Sequence, residues 1–377
     1  WYCVYSGRDN YVTVTNLEGL TEYIFCVIEN DGIHNYFNFP GQGNTLVVKT
    51  GSFTEQSNIS LIGIRSGTVA PGDYDNDGDL DVLVSGNGSS RIYRNLGNNN
   101  LAAQNSIILE GISNGSSAWG DYNNDNYIDL LITGLTGANI PVSKIYRNNG
   151  NNSFTEQPGV NIRGVSSSSV AWGDYDNDGF PDIIITGRSE ANDFISAIYR
   201  NNRDNTFTEQ TGITLQGVYS GSAAWADYDN DGDLDLLITG FNSNNIPVSR
   251  LYRNNGDNSF TEQTGISLRG VAKSSVDWGD FDNDGNPDII LSGESGTSVV
   301  EYVTCIYRNN GNGSFTELTS AVLKGVHSGS VAWGDYDSDG LSDVLLTGHS
   351  GKVESEYYSL VYRNNGDNTF TEQPGIN

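Results

Sequence analysis

The chain of 377 residues contains no methionine, three cysteines, three histidines and eight prolines. It has 19 basic side chains against 47 acidic ones, a formal net charge of −28 and a pI near 4.1. So acidic a chain repels phosphate backbones and anionic lipid surfaces, which excludes nucleic acid and the membrane surface as expected partners. No apolar run approaches the ~20 residues of a membrane-crossing helix, so no membrane span is expected in this chain. Three cysteines make no disulfide framework. Cys3 and Cys26 either pair between two N-terminal strands or stay as buried thiols, and Cys305 is left over. The histidines, His34, His327 and His349, share no spacing. A catalytic histidine needs a nucleophile or carboxylate partner, and the sequence marks none, so the protein is expected not to be an enzyme. The chain opens at Trp1 within a strand-like stretch, without methionine or a visible signal peptide, which reads as a piece of a longer precursor.

What the chain does have is a repeated acidic loop. Copies of Asp-Tyr-Asp-Asn-Asp-Gly start at Asp73, Asp121, Asp174, Asp227, Asp280 and Asp335, spaced 48, 53, 53, 53 and 55 residues apart. A fixed period of this size means one supersecondary unit copied in tandem. Positions 1, 3, 5 and 9 of each loop carry oxygen ligands. They are Asp73, Asp75, Asp77 and Asp81; Asp121, Asn123, Asp125 and Asp129; Asp174, Asp176, Asp178 and Asp182. The later copies supply Asp227, Asp229, Asp231 and Asp235; Asp280, Asp282, Asp284 and Asp288; Asp335, Asp337, Asp339 and Asp343.

Alternating oxygens in a tight loop wrap a hard cation, and glycine at position 6 allows the sharp turn that aims them inward. Soft metals want sulfur or imidazole, and magnesium holds its water more tightly, so Ca²⁺ is the expected ion, up to six per chain. The loop is not an EF-hand: position 12 of the third copy is Ile185, inside a β-branched run, where an EF-hand needs glutamate. Without cations, six such clusters would repel one another strongly. The second copy carries Asn123 at position 3 and Asn126 in place of glycine, so it has one charge fewer and is expected to bind most weakly. Loops of this kind in extracellular modules bind calcium only at roughly 10⁻⁴–10⁻³ M, which places the protein outside the cell or on its surface.

Between loops the pattern is constant. In residues 154–206, Phe-Thr-Glu-Gln precedes a serine-rich stretch and Val170–Tyr175; the acidic loop, Asp182–Gly187, a variable loop and Ala197–Asn201 follow. Four short antiparallel strands per ~50 residues describe a propeller blade. Six visible four-stranded blades over residues 51–377 define an all-β β-propeller. An additional Phe53–Gln56 leaves closure open between six blades and a seventh completed from elsewhere. Residues 1–50 lack the repeat and alternate as strands at Trp1–Tyr5, Tyr11–Thr15, Tyr23–Glu29 and Thr45–Lys49. Leu17-Glu-Gly-Leu20-Thr-Glu-Tyr23 resembles the tyrosine corner of a fibronectin type III β-sandwich, of which this would be a partial segment.

The acidic loop, the apolar strand, Ile-Tyr-Arg-Asn-Asn-Gly and Ser-Phe-Thr-Glu-Gln together resemble the FG-GAP/VCBS repeats of calcium-bearing propellers, also found in integrin α-subunit heads. The resemblance covers about residues 52–377. It implies calcium held along one face and a role in adhesion, ligand binding or surface assembly; the fold alone does not choose among them.

Trp119, Trp172, Trp225, Trp278 and Trp333 share one position before the loops and are expected to pack between blades rather than to hold sugar; Pro71 replaces the first. Arg94, Arg147, Arg200, Arg253, Arg308 and Arg363 are expected to pair across strands, for example with the glutamate of Phe-Thr-Glu-Gln. Asn58, Asn87, Asn114, Asn151 and Asn312 fit the Asn-x-Ser glycosylation pattern, although chance matches are common in a chain this rich in both residues. The segments Gly86–Ser90, Leu135–Val142, Arg188–Ile195, Phe241–Val248, Glu294–Thr304 and His349–Ser359 vary most, and should gather on one face as the place for a partner.

The expected function is a non-catalytic, calcium-stabilised structural or adhesive surface protein, self-associating as a filament subunit or meeting another surface protein. The alternatives are a lectin-like module binding glycans and an accessory part of a polysaccharide-degrading enzyme.

Overall fold

The computed structural model describes Gln56, residues 59–351 and 356–374, and the backbone of two strands, Glu22–Ile28 and His34–Pro40. Those two strands pair antiparallel, Glu22 opposite Pro40 and Ile28 opposite His34. The other fibronectin-like strands, the Cys3–Cys26 pairing and Phe53–Glu55 lie outside the described residues, and with them most of what motivated strand exchange and self-assembly.

Residues 68–372 form six four-stranded antiparallel sheets in a ring, an all-β six-bladed propeller, with no helix among the described residues. Blade 3 shows the plan: Ser166–Gly173 is innermost, followed by Asp182–Arg188, Phe194–Asn201 and the short outer Phe207–Glu209. The inner strands of the other blades begin at Thr68, Ser113, Ala223, Ala272 and Val331. The second strand of each blade is the apolar run, and Ile183, Ile184 and Ile185 are completely buried because blades cover both of its faces. In blades 2, 3 and 5 the inner strand carries a register shift, for example between Ser166 and Ser169.

The core is divided among the blade junctions. Between blades 2 and 3, Tyr122 and Leu131 pack with Trp172, Ile183 and Phe207; the same grouping recurs along the ring. The repeated tryptophan is what joins one blade to the next. Trp172 stacks on Tyr122 with ring centroids 6.2 Å apart and donates its indole N–H to the Ala118 carbonyl at 3.2 Å. A glycine permits this approach: a Cβ on Gly120 would lie 2.6 Å from the Trp172 ring, as one on Gly173 would lie 2.7 Å from Trp225 at the next junction. The indoles are therefore interior packing, as expected of a position repeated in every unit. Pro71 stands in the tryptophan position of blade 1 and is exposed, and a Cβ on Gly334 of blade 6 would meet no described atom within 4 Å, so among the described residues the repeated indole serves five junctions.

A second tie repeats with equal regularity. Asn148, Asn201, Asn254, Asn309 and Asn364 each donate a side-chain N–H to the carbonyl of the loop aromatic one blade earlier, at 2.7–2.8 Å. Chain direction places all acidic loops and the Asn-Asn-Gly turns at one end of the ring. The variable loops and the connections between blades lie at the other.

Candidate metal centres and the variable rim

The acidic loop is built by its own carboxylates before any ion is considered. In blade 3, Asp174 accepts the backbone N–H groups of Asp178 and Gly179 at 2.9 and 2.8 Å. Asp182 accepts from Tyr175 N–H at 3.2 Å and from Asn201 N–H at 2.7 Å, fastening the loop to the strand that leaves it. Position 4 takes a left-handed backbone in every copy, φ 55–59°, which asparagine tolerates in the first five copies and Ser338 adopts in the sixth. Asn126 replaces the position-6 glycine at φ 68°, so that turn survives.

The structure brings three carboxylates within 4.8 Å of one another in five loops: Asp73, Asp75 and Asp81; Asp174, Asp176 and Asp182; Asp227, Asp229 and Asp231; Asp280, Asp282 and Asp288; Asp335, Asp337 and Asp339. In the same five loops the position-3 carboxylate keeps one buried oxygen with no hydrogen-bond partner, the Oδ1 of Asp75, Asp176, Asp229, Asp282 and Asp337. A buried, unpartnered carboxylate oxygen among other carboxylates is what a hard cation satisfies, so the residues present fit Ca²⁺. The second loop differs: Asn123 leaves a buried Nδ2 donor without a partner, and a donor cannot face a cation. Burial pushes the carboxyls of Asp81, Asp129, Asp182, Asp235 and Asp288 up to about 8 and that of Asp343 to about 7, with neighbouring carboxylates adding to the shift.

The repeated arginines go elsewhere than the cross-strand pairing expected of them. Arg200 meets Asp176 at 2.6 Å and Asp178 at 3.4 Å, and Arg94, Arg253, Arg308 and Arg363 likewise span positions 3 and 5 of their own loops. Arg147 reaches only Asp125, because position 3 there is Asn123. Register explains the correction: Arg200 lies opposite Thr208, while Glu209 lies opposite Tyr199. The arginine thus takes the outer oxygen of each position-3 carboxylate and leaves the inner one.

The other end of the ring is irregular. Where blades 3 and 4 meet, Phe194 stacks on Tyr219 at 4.9 Å and Phe241 leans on Tyr219 at 5.5 Å. The Arg188 guanidinium carbon sits 4.4 Å from the Tyr219 ring centre, and the Tyr219 hydroxyl bonds Asn245 Oδ1 at 2.9 Å. Where blades 5 and 6 meet, Tyr302 stacks on His327 at 4.5 Å, His349 meets His327 edge-on, and Tyr357 lies 5.0 Å from His349. The two histidines with no common spacing therefore meet, Nδ1 of His349 lying 3.2 Å from Nε2 of His327 across an isolated bridge. Burial pushes His327 down to about 4, with Lys273 and His349 acting in the same direction. Phe241, Tyr302 and Tyr357 were legible as aromatics in variable loops; Arg188, Phe194 and Tyr219 were missed, since nothing in their spacing says that they meet. Cys305 is a buried free thiol raised to about 12 by burial, with no nucleophilic character at neutral pH.

A ring of six four-stranded blades with one acidic loop per blade defines a repeat propeller. The FG-GAP-like repeat model matches residues 73–132, 133–185, 186–238, 227–291 and 299–346, more than half of the chain, which therefore belongs to the FG-GAP-like repeat family. No curated protein sequence matches it. Among solved structures, an Agrocybe aegerita lectin that recognises non-reducing terminal N-acetylglucosamine aligns with a TM-score of 0.59 over 94% of this chain and 90% of its own, at 18% identity. The Aleuria aurantia lectin reaches a TM-score of 0.46 over 83% of this chain and 96% of its own, at 13% identity. At these identities the first likeness is one of fold, and the second carries no further argument.

Proposed function

We propose that this protein is a non-catalytic carbohydrate-binding propeller of the cell exterior, a lectin-like module that holds saccharide at its variable rim and calcium in its acidic loops. The observation that carries the reading is where accessible aromatic rings gather. At the loop end Tyr74, Tyr122, Tyr175, Tyr228 and Phe281 are buried between blades and the half-buried Tyr127, Phe180 and Tyr336 stand one to a loop, whereas Phe194, Tyr219 and Phe241, and Tyr302 and Tyr357 with the histidines, form clusters of partly or largely accessible rings at the rim, the first beside hydrogen-bonding Asn245. Rings of this kind offer flat apolar faces to the C–H side of a sugar, with polar groups at their edges for its hydroxyls. Terminal N-acetylglucosamine recognition by the Agrocybe lectin supports the idea that a ring of this shape can carry a saccharide site.

Calcium has a separate role. Asp at positions 1, 3, 5 and 9 would hold the ion, and five ions, one in each loop that carries all four aspartates, would bring the formal charge from −28 to −18. The bound ion supplies cohesion to the loop and no chemistry on the sugar.

The test is a broad panel of neutral and acidic glycans probed with the protein in 1 mM calcium, followed by titration calorimetry on any hit. Binding that Tyr219→Ala or Tyr302→Ala abolishes, with the melting temperature preserved, supports the proposal. Silence across the panel ends it.

A further inference from the structure

We infer that the junction of blades 3 and 4 is a subsite for an anionic saccharide, a pyranoside bearing a carboxylate or sulfate, with Arg188 as its anion-binding residue. The inference rests on the carbohydrate-binding reading and specifies its ligand class. Its starting point is a charge left over. The six arginines of the Tyr-Arg-Asn strands are all spoken for by loop carboxylates. Among the described residues no ion pair within 4.0 Å includes Arg188, whereas the nearby Arg163 and Arg203 are paired with Glu209 and Asp178, and the buried Nε of Arg188 has no hydrogen-bond partner. Its guanidinium lies instead over two aromatic rings, 4.4 Å from the centre of Tyr219 and 5.4 Å from that of Phe194.

Rings that strip water from a guanidinium leave it short of hydrogen-bond acceptors while its charge persists. A carboxylate or sulfate meets the guanidinium fork with two charge-assisted hydrogen bonds. The apolar face of the pyranose that carries the anion then has Phe194 and Phe241 beside it. Glu190 and Asp193, both exposed on the same loop, are the nearest charges of opposing sign in sequence. The loop carboxylates gather at the far end of the ring, where solvent and salt screen them, and Glu294, Glu301 and Glu356 lie on the rim at blades 5 and 6.

The molecule contains its own comparison. Glu294 occupies the register position of Arg188 in blade 5, opposite Tyr302 as Arg188 is opposite Phe194. Glu294 is already neutralised by Lys273 at 2.8 Å. The blade 5–6 junction also sets a cation over a ring, Lys324 Nζ lying 4.3 Å from the centre of Tyr358, but an ammonium is a point charge without the planar fork of Arg188, so the bidentate anion site is the one between blades 3 and 4.

The experiment titrates the intact protein, in 1 mM calcium and 0.15 M NaCl, with uronate oligosaccharides, sulfated oligosaccharides and their neutral counterparts. The uronate and sulfate arms separate the two sources of negative charge. The expected result is a preference for at least one acidic series over its neutral counterpart. Arg188→Gln should weaken the acidic ligand by roughly tenfold or more and a neutral one by less than about twofold. Arg188→Lys should fall between them, and a melting temperature unchanged in both variants shows that the fold is intact. Acidic binding that survives Arg188→Gln, or neutral sugars bound as tightly as acidic ones, overturns the anionic subsite while leaving the carbohydrate reading in place. No binding by any saccharide overturns both.

Discussion

The two ends of this ring solve different problems with the same strands. At the loop end every blade repeats the same acidic turn and the same arginine, five carry the same asparagine tie, and within the first six loop positions differences are confined to Asn123, Asn126, Phe281 and Ser338. At the rim the corresponding positions hold Arg188, Phe241, Glu294 and His349, which share no chemistry. Uniformity is what a repeated joint demands, since each blade must fit the next. Variation marks the end that is free of that constraint, and it is there that recognition can be written without loosening the fold.

That contrast can be broken by experiments of decreasing force. Removing calcium should matter most. A loop with a dissociation constant of about 10⁻⁴ M gains about 1.4 kcal/mol in 1 mM calcium, and several loops act together, so EGTA should lower the melting temperature by about 10 °C or more in differential scanning fluorimetry. An unchanged melt would remove the metal from the account. Next in size is Trp225→Ala, which empties a buried joint and should cost about 3–5 kcal/mol by denaturant unfolding. Tyr219→Ala at the rim should cost about 1 kcal/mol or less, and equal costs would erase the distinction between ends.

Asn201→Ala probes the asparagine tie. It leaves the buried Tyr122 carbonyl without its donor and should cost about 1–3 kcal/mol. Asn123→Asp should raise the calcium affinity of the second loop, measured as an added binding event in calorimetry, because it replaces a buried donor with a carboxylate. Confined to acid pH, and absent at neutrality, is the effect of His327, whose folded pKa is pushed down to about 4 from the ordinary 6.5. The unfolded chain binds the extra proton first, so this histidine's contribution to stability is full above 6.5 and declines as the pH falls towards 4. Relative to His327→Gln, the native protein should lose stability across that window; parallel curves would contradict the assignment.

The acidic loops, the four-strand period and the buried tryptophans were legible in the chain because each is a short-range pattern, copied until it could not be missed. Asn126 in a left-handed turn was legible for the same reason. The arginine partners were not, because pairing depends on which residue the hairpin register sets opposite: Thr208 rather than Glu209 faces Arg200. The rim clusters were hidden more deeply. Phe194 and Tyr219 belong to consecutive blades, and His327 and His349 meet because an isolated bridge pairs the entry to blade 6 with the end of that blade's own second strand. Contacts of that kind follow from blade packing and strand register and leave no mark in local spacing.

The indoles also set where the ring resists a pull. Five joints carry an indole wedged against the preceding blade, while Pro71 of blade 1 is exposed and Gly334 of blade 6 has no described atom within 4 Å of a Cβ added there. A row of equal wedges under traction parts first where no wedge of the repeat stands, so pulling on this protein should part blade 6 from blade 1 before any of the five indole joints yields, and the ring should unroll into a ribbon with the junction of blades 3 and 4 intact.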